Sequence, residues 1–182
     1  MEIPATETPA RPDRESSSEA LLAELEPLVV RTVRLVVGAG SSVAEDAAQE
    51  ALLELSRSLP RLKDRGAAKA FAARIASRVA LCTSKRERRF AALGFRARNV
   101  RAPVNPEPPE LLELKEAFDQ LPPRQRVTAV LRLYVGLTEQ ETATALGCSI
   151  GTVKHQLHDA RKTLADYLDR DDQAAHRKRG SK

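Results

Sequence analysis

Four prolines lie between Asn99 and Glu110, near the middle of the chain. Proline has no backbone N–H donor and its ring clashes with the preceding helical turn, so this segment cannot form a continuous helix. On both sides of it, leucine, valine and alanine recur at three- and four-residue steps, which is the spacing of an apolar helix face. The chain is therefore predicted to fold as two helical units joined by a stiff, extended linker.

The composition favours an all-α fold. Hydrophobic residues make up 42% of the 182 residues and are mostly alanine, leucine and valine, whereas aromatic residues contribute only 3%. Alanine and leucine are strong helix formers, and the aromatic residues that enrich strands are scarce. Two cysteines exclude a disulfide framework, and no apolar stretch is long enough to cross a membrane. The N-terminus shows no secretory signal, so we expect a soluble, cytoplasmic protein without a membrane partner.

The periodicity also predicts the boundaries of the two units. Three helices with apolar faces follow one another in the first unit, enough to enclose one small core. A second set of helices begins at Glu110. We therefore predict a disordered tail at 1–19, a three-helix bundle at 20–90, a Pro-rich linker at 91–109, a helix-turn-helix domain at 110–168 and a disordered basic tail at 169–182.

Charge is concentrated in one part of the chain. The net charge is +5, but residues 57–101 hold 14 basic and 2 acidic residues, a net charge of +12. Residues 20–56 hold 2 basic and 6 acidic residues. A basic block of this density is typical of a surface that binds a polyanion such as DNA, although a solvated helix face with a basic linker has the same pattern.

The clearest motif is a helix-turn-helix. Thr138 and Glu141 have the spacing of a capping box at the start of a short helix. Gly147 follows that helix, where the turn requires a left-handed backbone. Ala143 lets the two helices approach each other, and Val153 anchors the second helix. The combination predicts a DNA-binding motif; a plain pair of antiparallel helices and a protein-binding module remain alternatives.

The second helix of the motif, capped by Ser149, has outward side chains of the kinds that bond to base edges and phosphates. The predicted DNA contacts on this helix are Thr152, Lys154, His155, Gln156, His158 and Arg161. Two of these histidines lie close to Asp159, but further ligands at a suitable spacing are missing, so we predict no metal site.

Four segments of the second unit resemble region 4 of bacterial RNA polymerase sigma factors: 121–126, 134–141, 146–154 and 157–161. In the first unit, residues 44–50 are similar to the acidic helix of sigma factor region 2. The resemblance covers about residues 20–168, and it points to the small extracytoplasmic-function (ECF) type, which has only regions 2 and 4 joined by a linker. It implies a protein without catalytic residues, cofactor or small-molecule substrate that directs core RNA polymerase to promoter DNA.

The resemblance also implies roles for individual residues. Asp46, Gln49 and Glu50 would bind the β′ clamp helices of core polymerase. The −10 element would be contacted by Arg61, Lys63, Arg65, Lys69, Phe71, Arg74 and Arg78, and the −35 element by the second motif helix. The other face of region 4 would contact the β flap, with Arg124 and Arg126 holding phosphate or flap. A further partner that the family implies is an anti-sigma factor.

Several positions depart from the family pattern. Where the docking helix of the family has bulky aliphatics and aromatics, this chain has Ala47, Ala48, Leu52 and Ser56. In the third helix the usual aromatic cluster is reduced to Phe71, and aromatic side chains stack on bases for roughly 1–3 kcal/mol each. Gln156 replaces the usual arginine. We therefore expect weak strand opening or an unusual −10 preference.

Two other functions fit the sequence. A stand-alone helix-turn-helix regulator would bind a discrete DNA site without polymerase. A helical adaptor that binds polymerase without starting transcripts would fit the scarcity of aromatics around Phe71. Asp46 and Glu50 have the spacing of paired carboxylates, but on an exposed acidic face such a pair indicates protein docking rather than catalysis. Cys82, in the third helix, is predicted to be a small core residue.

Overall fold

The computed structural model describes residues 12–38, 42–93 and 109–180, and every regular element within them is helical. The first unit contains α1 (Pro12–Val37), α2 (Ser42–Ser58), a 3-10 turn (Leu59–Arg61) and α3 (Ala68–Ala92). The second contains α4 (Pro109–Asp119), α5 (Pro123–Ala129) with a following π-helical turn (Val130–Tyr134), α6 (Glu139–Leu146) and α7 (Ile150–Gly180). The predicted all-α fold is confirmed. None of these helices combines the length and the apolar character that a membrane span requires.

Alanine makes up much of the core of the first unit. Ala47, Ala48 and Ala51 of α2 are buried, as are Ala72 and Ala76 of α3. Small side chains let helices approach closely, because the distance between helix axes depends on the side chains at the contact. The alanines that depart from the family's bulky pattern on α2 therefore lie inside the bundle and not on its exposed face.

The two units pack against each other through one continuous core. Val36, near the end of α1, belongs to the same buried cluster as Phe118, Leu121 and Leu131 of the second unit. Helix α3 also contacts α5 and α6. The apolar faces of the second unit are thus covered partly by the first. The sequence predicted two units held apart by a linker, and most of that linker, residues 94–108, lies outside the described residues.

Two helices extend beyond the predicted boundaries. Helix α1 begins at Pro12 and α7 continues to Gly180, so residues 12–19 and 169–180 are helical where disorder was predicted. Proline suits the first turn of a helix, where an N–H would have no partner anyway. No glycine or proline occurs from residue 152 to residue 179, so nothing ends α7 where its apolar stripe stops. Residues 1–11 and 181–182 lie outside the described residues.

Candidate functional site

The outer face of α2 carries an acidic and partly apolar surface. Asp46, Gln49 and Glu50 are exposed there, on the side of the helix away from its buried alanines. Together with Leu53, which is 56% exposed, they line a shallow groove of about 430 Å³. Carboxylates beside an exposed leucine are typical of a surface that meets a basic, partly apolar protein. The structure therefore brings the three predicted docking residues together.

An ion pair connects this face to α3. The Arg78 guanidinium contacts the Glu54 carboxylate, and Glu54 also lines the groove on α2. Both side chains are partly exposed, so the pair adds little to stability. Arg78, a predicted −10 contact, thus lies beside the shallow groove on the outer face of α2.

The loop before α3 presents basic side chains. Arg61, Lys63 and Arg65 are exposed and surround an open pocket of about 600 Å³ beside Leu21 of α1. Arg65 also donates a hydrogen bond to the Ser17 hydroxyl. Three cations around an open pocket favour the binding of phosphate groups. These three predicted −10 contacts therefore share one surface.

Phe71 and Arg74 face the second unit. The Arg74 guanidinium lies over the Phe71 ring, 5.8 Å from its centroid, and Phe71 is half-buried. Both side chains line a cavity of about 250 Å³ whose other wall includes Thr144 and Ala145 of α6. The ring predicted to stack on −10 bases therefore lies next to the first helix of the helix-turn-helix.

The predicted capping box of α6 is confirmed. The Thr138 N–H donates to the Glu141 carboxylate at 2.7 Å, and the Glu141 N–H donates to the Thr138 hydroxyl at 3.1 Å. The backbone and hydroxyl hydrogen bonds from Thr138 hold the pKa of Glu141 below its usual value, and the nearby cations Lys69 and Arg132 act in the same direction. Gly147 adopts a φ of +61°, the left-handed conformation that the turn requires.

Thr138→Ala is expected to lower the free energy of unfolding by roughly 1 kcal/mol, because it removes the N-cap of α6. A carboxylate whose folded pKa is depressed stabilises the fold above its unfolded pKa, about 4.3, and loses that effect as the pH falls through the lower folded value. The stability difference between Thr138→Ala and the unsubstituted chain, measured by urea unfolding, should therefore shrink between pH 7 and pH 3. An equal difference at both pH values would exclude a hydrogen bond from the Thr138 hydroxyl to the Glu141 carboxylate.

The second motif helix, α7, has a basic outer face. Ser149 caps the helix as predicted, since its hydroxyl accepts the Thr152 N–H at 3.1 Å. The inner face consists of Val153, Leu157 and Ala160, all of which are buried. Four predicted contacts are exposed on the outer face, namely Lys154, His155, His158 and Arg161.

Acidic residues accompany two of these side chains. Lys154 Nζ lies 3.6 Å from the Glu139 carboxylate, and His155 Nε2 lies 3.5 Å from the Asp159 carboxylate. Exposed pairs of this kind are worth about 0–1 kcal/mol. Phosphate or base edges can therefore replace the carboxylates at little cost.

Two predicted DNA contacts on α7, Thr152 and Gln156, are half-buried and hydrogen-bonded within the protein, and their contact with DNA stays a prediction. Gln156 Oε1 accepts a hydrogen bond of 2.6 Å from the hydroxyl of Thr128, a buried residue of α5. Thr152 is half-buried, and its hydroxyl lies 2.9 Å from the Ser149 hydroxyl in the cap. Gln156 lies on the flank of α7 that packs against α5, and its amide oxygen is bonded within the protein.

The first turn of α7 has two exposed residues that were not among the predicted DNA contacts. Ile150 is 38% exposed, and Gly151 is exposed beside it. Helical spacing left the position of Ile150 open, because it lies four residues before exposed Lys154 but three and seven residues before buried Val153 and Leu157.

Arg124 and Arg126 have different surroundings. Arg124 is exposed, whereas the Arg126 side chain is 14% exposed. The Arg126 guanidinium donates to the carbonyl oxygens of Asp119 at 2.9 Å and Leu121 at 3.2 Å, and lies 2.9 Å from the Asp119 carboxylate. It also donates to the Val36 carbonyl of α1 at 3.4 Å. Arg126 therefore ties the two units together, while its contact with phosphate or flap stays a prediction.

An apolar groove lies between α4 and α7. Its volume is about 380 Å³, and its lining includes Leu114, Phe118, Leu133, Tyr134, Leu164 and Leu168. Leu133 and Leu168 are 45% and 55% exposed. Helical spacing did not predict this groove, because it shows which residues are apolar but not which of them remain uncovered.

Two family models match the chain. Sigma-70 region 2 matches residues 21–90, and Sigma-70 region 4 matches residues 111–164. The ECF RNA polymerase sigma factor SigD of Mycobacterium tuberculosis is 34% identical over 169 residues, which cover 86% of this chain and 78% of SigD. The chain belongs to the ECF RNA polymerase sigma factors. The predicted family and general function are thus confirmed, and a stand-alone regulator is not favoured.

Two solved structures share the fold of this sigma factor. The sigma factor RpoE of Bartonella quintana, in complex with the anti-sigma factor NepR, aligns with a TM-score of 0.67 at 21% identity, covering 85% of this chain and 98% of RpoE. CnrH, in complex with the cytosolic domain of CnrY, aligns with a TM-score of 0.59 at 22% identity, covering 87% and 94%. At these identities the likeness establishes the fold alone.

Cys82 and the α7 histidines were the other candidate sites of this sigma factor. Cys82 is exposed, so the prediction that it is a core residue is wrong. Across residues 12–38, 42–93 and 109–180, no three histidine, cysteine or acidic side chains form a group that could hold a metal ion.

Proposed function

We propose that this sigma factor binds core RNA polymerase through the outer face of α2 and contacts promoter DNA through two surfaces. The loop before α3, with α3 itself, would contact the −10 element, and α7 would contact the −35 element. The observation that carries the proposal is the exposure of Lys154, His155 and His158 on the outer face of a capped second helix. In a helix-turn-helix this face is the one that enters the major groove.

The docking step depends on complementary charge. Asp46 and Glu50 make the outer face of α2 negative, and Leu53 adds apolar area beside them. Complementary charge accelerates association and disfavours wrong partners, while the apolar area contributes to affinity. We assign this face to the β′ clamp helices, because α2 resembles the region 2 helix that is expected to bind them.

Contact with the −10 element requires two different states of the molecule. Arg61, Lys63 and Arg65 are accessible as the structure stands, whereas the Phe71 ring lies next to α6. A DNA base and α6 cannot occupy the same side of the ring, so α3 and α6 must separate before Phe71 stacks on a base. Residues 94–108 join the units, and an extended segment of that length reaches roughly 50 Å, enough for the separation.

Two further protein partners are proposed, the β flap of polymerase and an anti-sigma factor. Exposed Leu133 and Leu168 give the groove between α4 and α7 the character of a helix-binding surface, and we assign it to the β flap. RpoE is a sigma factor seen in complex with an anti-sigma factor, and we propose that an anti-sigma factor also controls this chain. We propose no catalytic residue, cofactor or small-molecule substrate, and a cytoplasmic location beside RNA polymerase.

Lys154→Ala is expected to lower −35-dependent transcription about 5- to 150-fold, because a good base contact in the major groove is worth about 1–3 kcal/mol. The measurement is runoff transcription by reconstituted polymerase on promoters with intact and substituted −35 elements. Thermal unfolding should be unchanged, since the Lys154 side chain is 63% exposed. Unchanged −35 selectivity would contradict the role of α7.

Footprinting without polymerase distinguishes the proposed function from a stand-alone regulator. Each unit makes few base contacts, so binding to DNA should be weak until polymerase holds both units in place. Protection of a discrete site by the free chain would favour the regulator. Protection that appears only with polymerase supports the proposal.

A further inference from the structure

The first residue of α7 is an exposed aliphatic side chain. Ile150 is 38% exposed, while Val153 and Leu157 on the inner face are 0% and 4% exposed. Val153 and Leu157 supply the packing of α7 against the rest of the unit, and Ser149 supplies its cap. Ile150 therefore lies at the edge of the packed face of α7, with more than a third of the residue exposed to solvent.

Ile150 is aligned with the proposed DNA contacts. Lys154 and His158 follow it at four-residue steps, so the three side chains form one line on the exposed face, named here the α7 stripe. The N-terminal residues of the second motif helix are those that contact base edges. Ile150 is thus the member of the α7 stripe placed where base contacts are made.

Gly151 leaves the surface beside Ile150 open. A Cβ atom at position 151 would have only the Ser149 hydroxyl within 4 Å, at 3.7 Å. No side chain at 151 holds the helix away from DNA, so the first turn of α7 can approach base edges closely. A close approach is what a short, branched side chain such as Ile150 needs in order to touch a base.

The chemistry of Ile150 restricts what it can recognise. Its side chain neither donates nor accepts hydrogen bonds, and thymine is the base whose major-groove edge carries an apolar group, the 5-methyl. The cations Lys154 and Arg161 on the same face favour nucleic acid over an apolar protein surface. We propose that Ile150 is a specificity-determining residue of the −35 contact and selects a thymine by packing against its 5-methyl group, beside the base pair contacted by Lys154. This inference rests on the proposed function.

Removing the methyl group from the DNA tests the contact directly. A −35 element is first selected from a promoter library with holoenzyme reconstituted from core polymerase and the full chain. Each thymine of the element is then replaced by deoxyuridine, which lacks only the 5-methyl group, and holoenzyme affinity is measured by competition. Loss of the methyl that Ile150 contacts should weaken binding about fourfold, the effect of one buried methyl group. Ile150→Ala should bind the thymine and deoxyuridine promoters equally.

Lys162→Ala is the matched control, because Lys162 is exposed on the same helix and is charged. This variant should weaken binding to every promoter alike and keep the fourfold response to methyl removal. The inference is overturned if no thymine of a Lys154-dependent element responds to methyl removal, or if Ile150→Ala keeps the full response. A selection that yields no polymerase-dependent element overturns the proposed function as well.

Discussion

Asp46→Lys combined with Glu50→Lys is expected to abolish the binding of this sigma factor to core RNA polymerase. The two carboxylates lie four residues apart on the exposed face of α2, and lysine at both positions changes the charge of that face by four units. Like charges brought together in an interface cost several kcal/mol, which is enough to turn a stable complex into one that does not survive purification. The measurement is co-purification of the chain with core polymerase.

The fold of this variant should be unchanged. Asp46 and Glu50 are exposed, lysine is a good helix former, and the buried face of α2 is not altered. Circular dichroism should therefore remain helical with a similar unfolding temperature. Glu24→Lys combined with Glu26→Lys is the matched control, since it makes the same charge change at exposed positions of α1. If the α2 variant still co-purifies with core polymerase, the outer face of α2 is not the docking surface. If both variants lose binding equally, the loss is an effect of net charge and not of that face.

The features that the sequence predicted correctly are those encoded within a few residues. The Thr138–Glu141 cap, the left-handed Gly147 and the Ser149 cap each depend on hydrogen bonds or backbone angles of neighbouring residues. The exposure of Asp46 and Glu50 also follows from local information, since helical spacing separates them from the alanines of the same helix. Local rules therefore identified the helix-turn-helix and the acidic face of α2 without knowledge of the tertiary contacts.

The features that the sequence missed are set by contacts between distant residues. Gln156 has the polarity of a base-reading residue, but its amide is bonded to Thr128, a residue far away along the chain. Residue type and position in α3 could not show that Cys82 is exposed. Phe71 faces α6 because the two units share a core, and no periodicity within either unit reports that packing. Binding residues were therefore predicted least well where helices distant along the chain pack against each other.

Arg126→Ala is expected to lower the free energy of unfolding by roughly 3 kcal/mol. The surroundings of Arg126 were also not predicted from the sequence. The substitution removes an ion pair to Asp119 and hydrogen bonds to three backbone carbonyls, including that of Val36 in the first unit. Burial lowers the pKa of Arg126, the Asp119 carboxylate raises it, and Arg88 lowers it. Asp119 therefore compensates part of the cost of holding a charge there, and Arg126→Ala leaves its carboxylate without that partner.

Arg124→Ala is the matched control, because Arg124 is an exposed arginine two positions earlier. Its free energy of unfolding should change by less than about 0.5 kcal/mol, whereas Arg126→Ala should lower the melting temperature by about 6–12 °C. If Arg126→Ala keeps full stability but loses affinity for promoter DNA, Arg126 contacts phosphate and does not hold the two units together. If it loses stability while Arg124→Ala loses only affinity for DNA or polymerase, the two arginines have separate roles: Arg126 holds the units together, and Arg124 binds a partner.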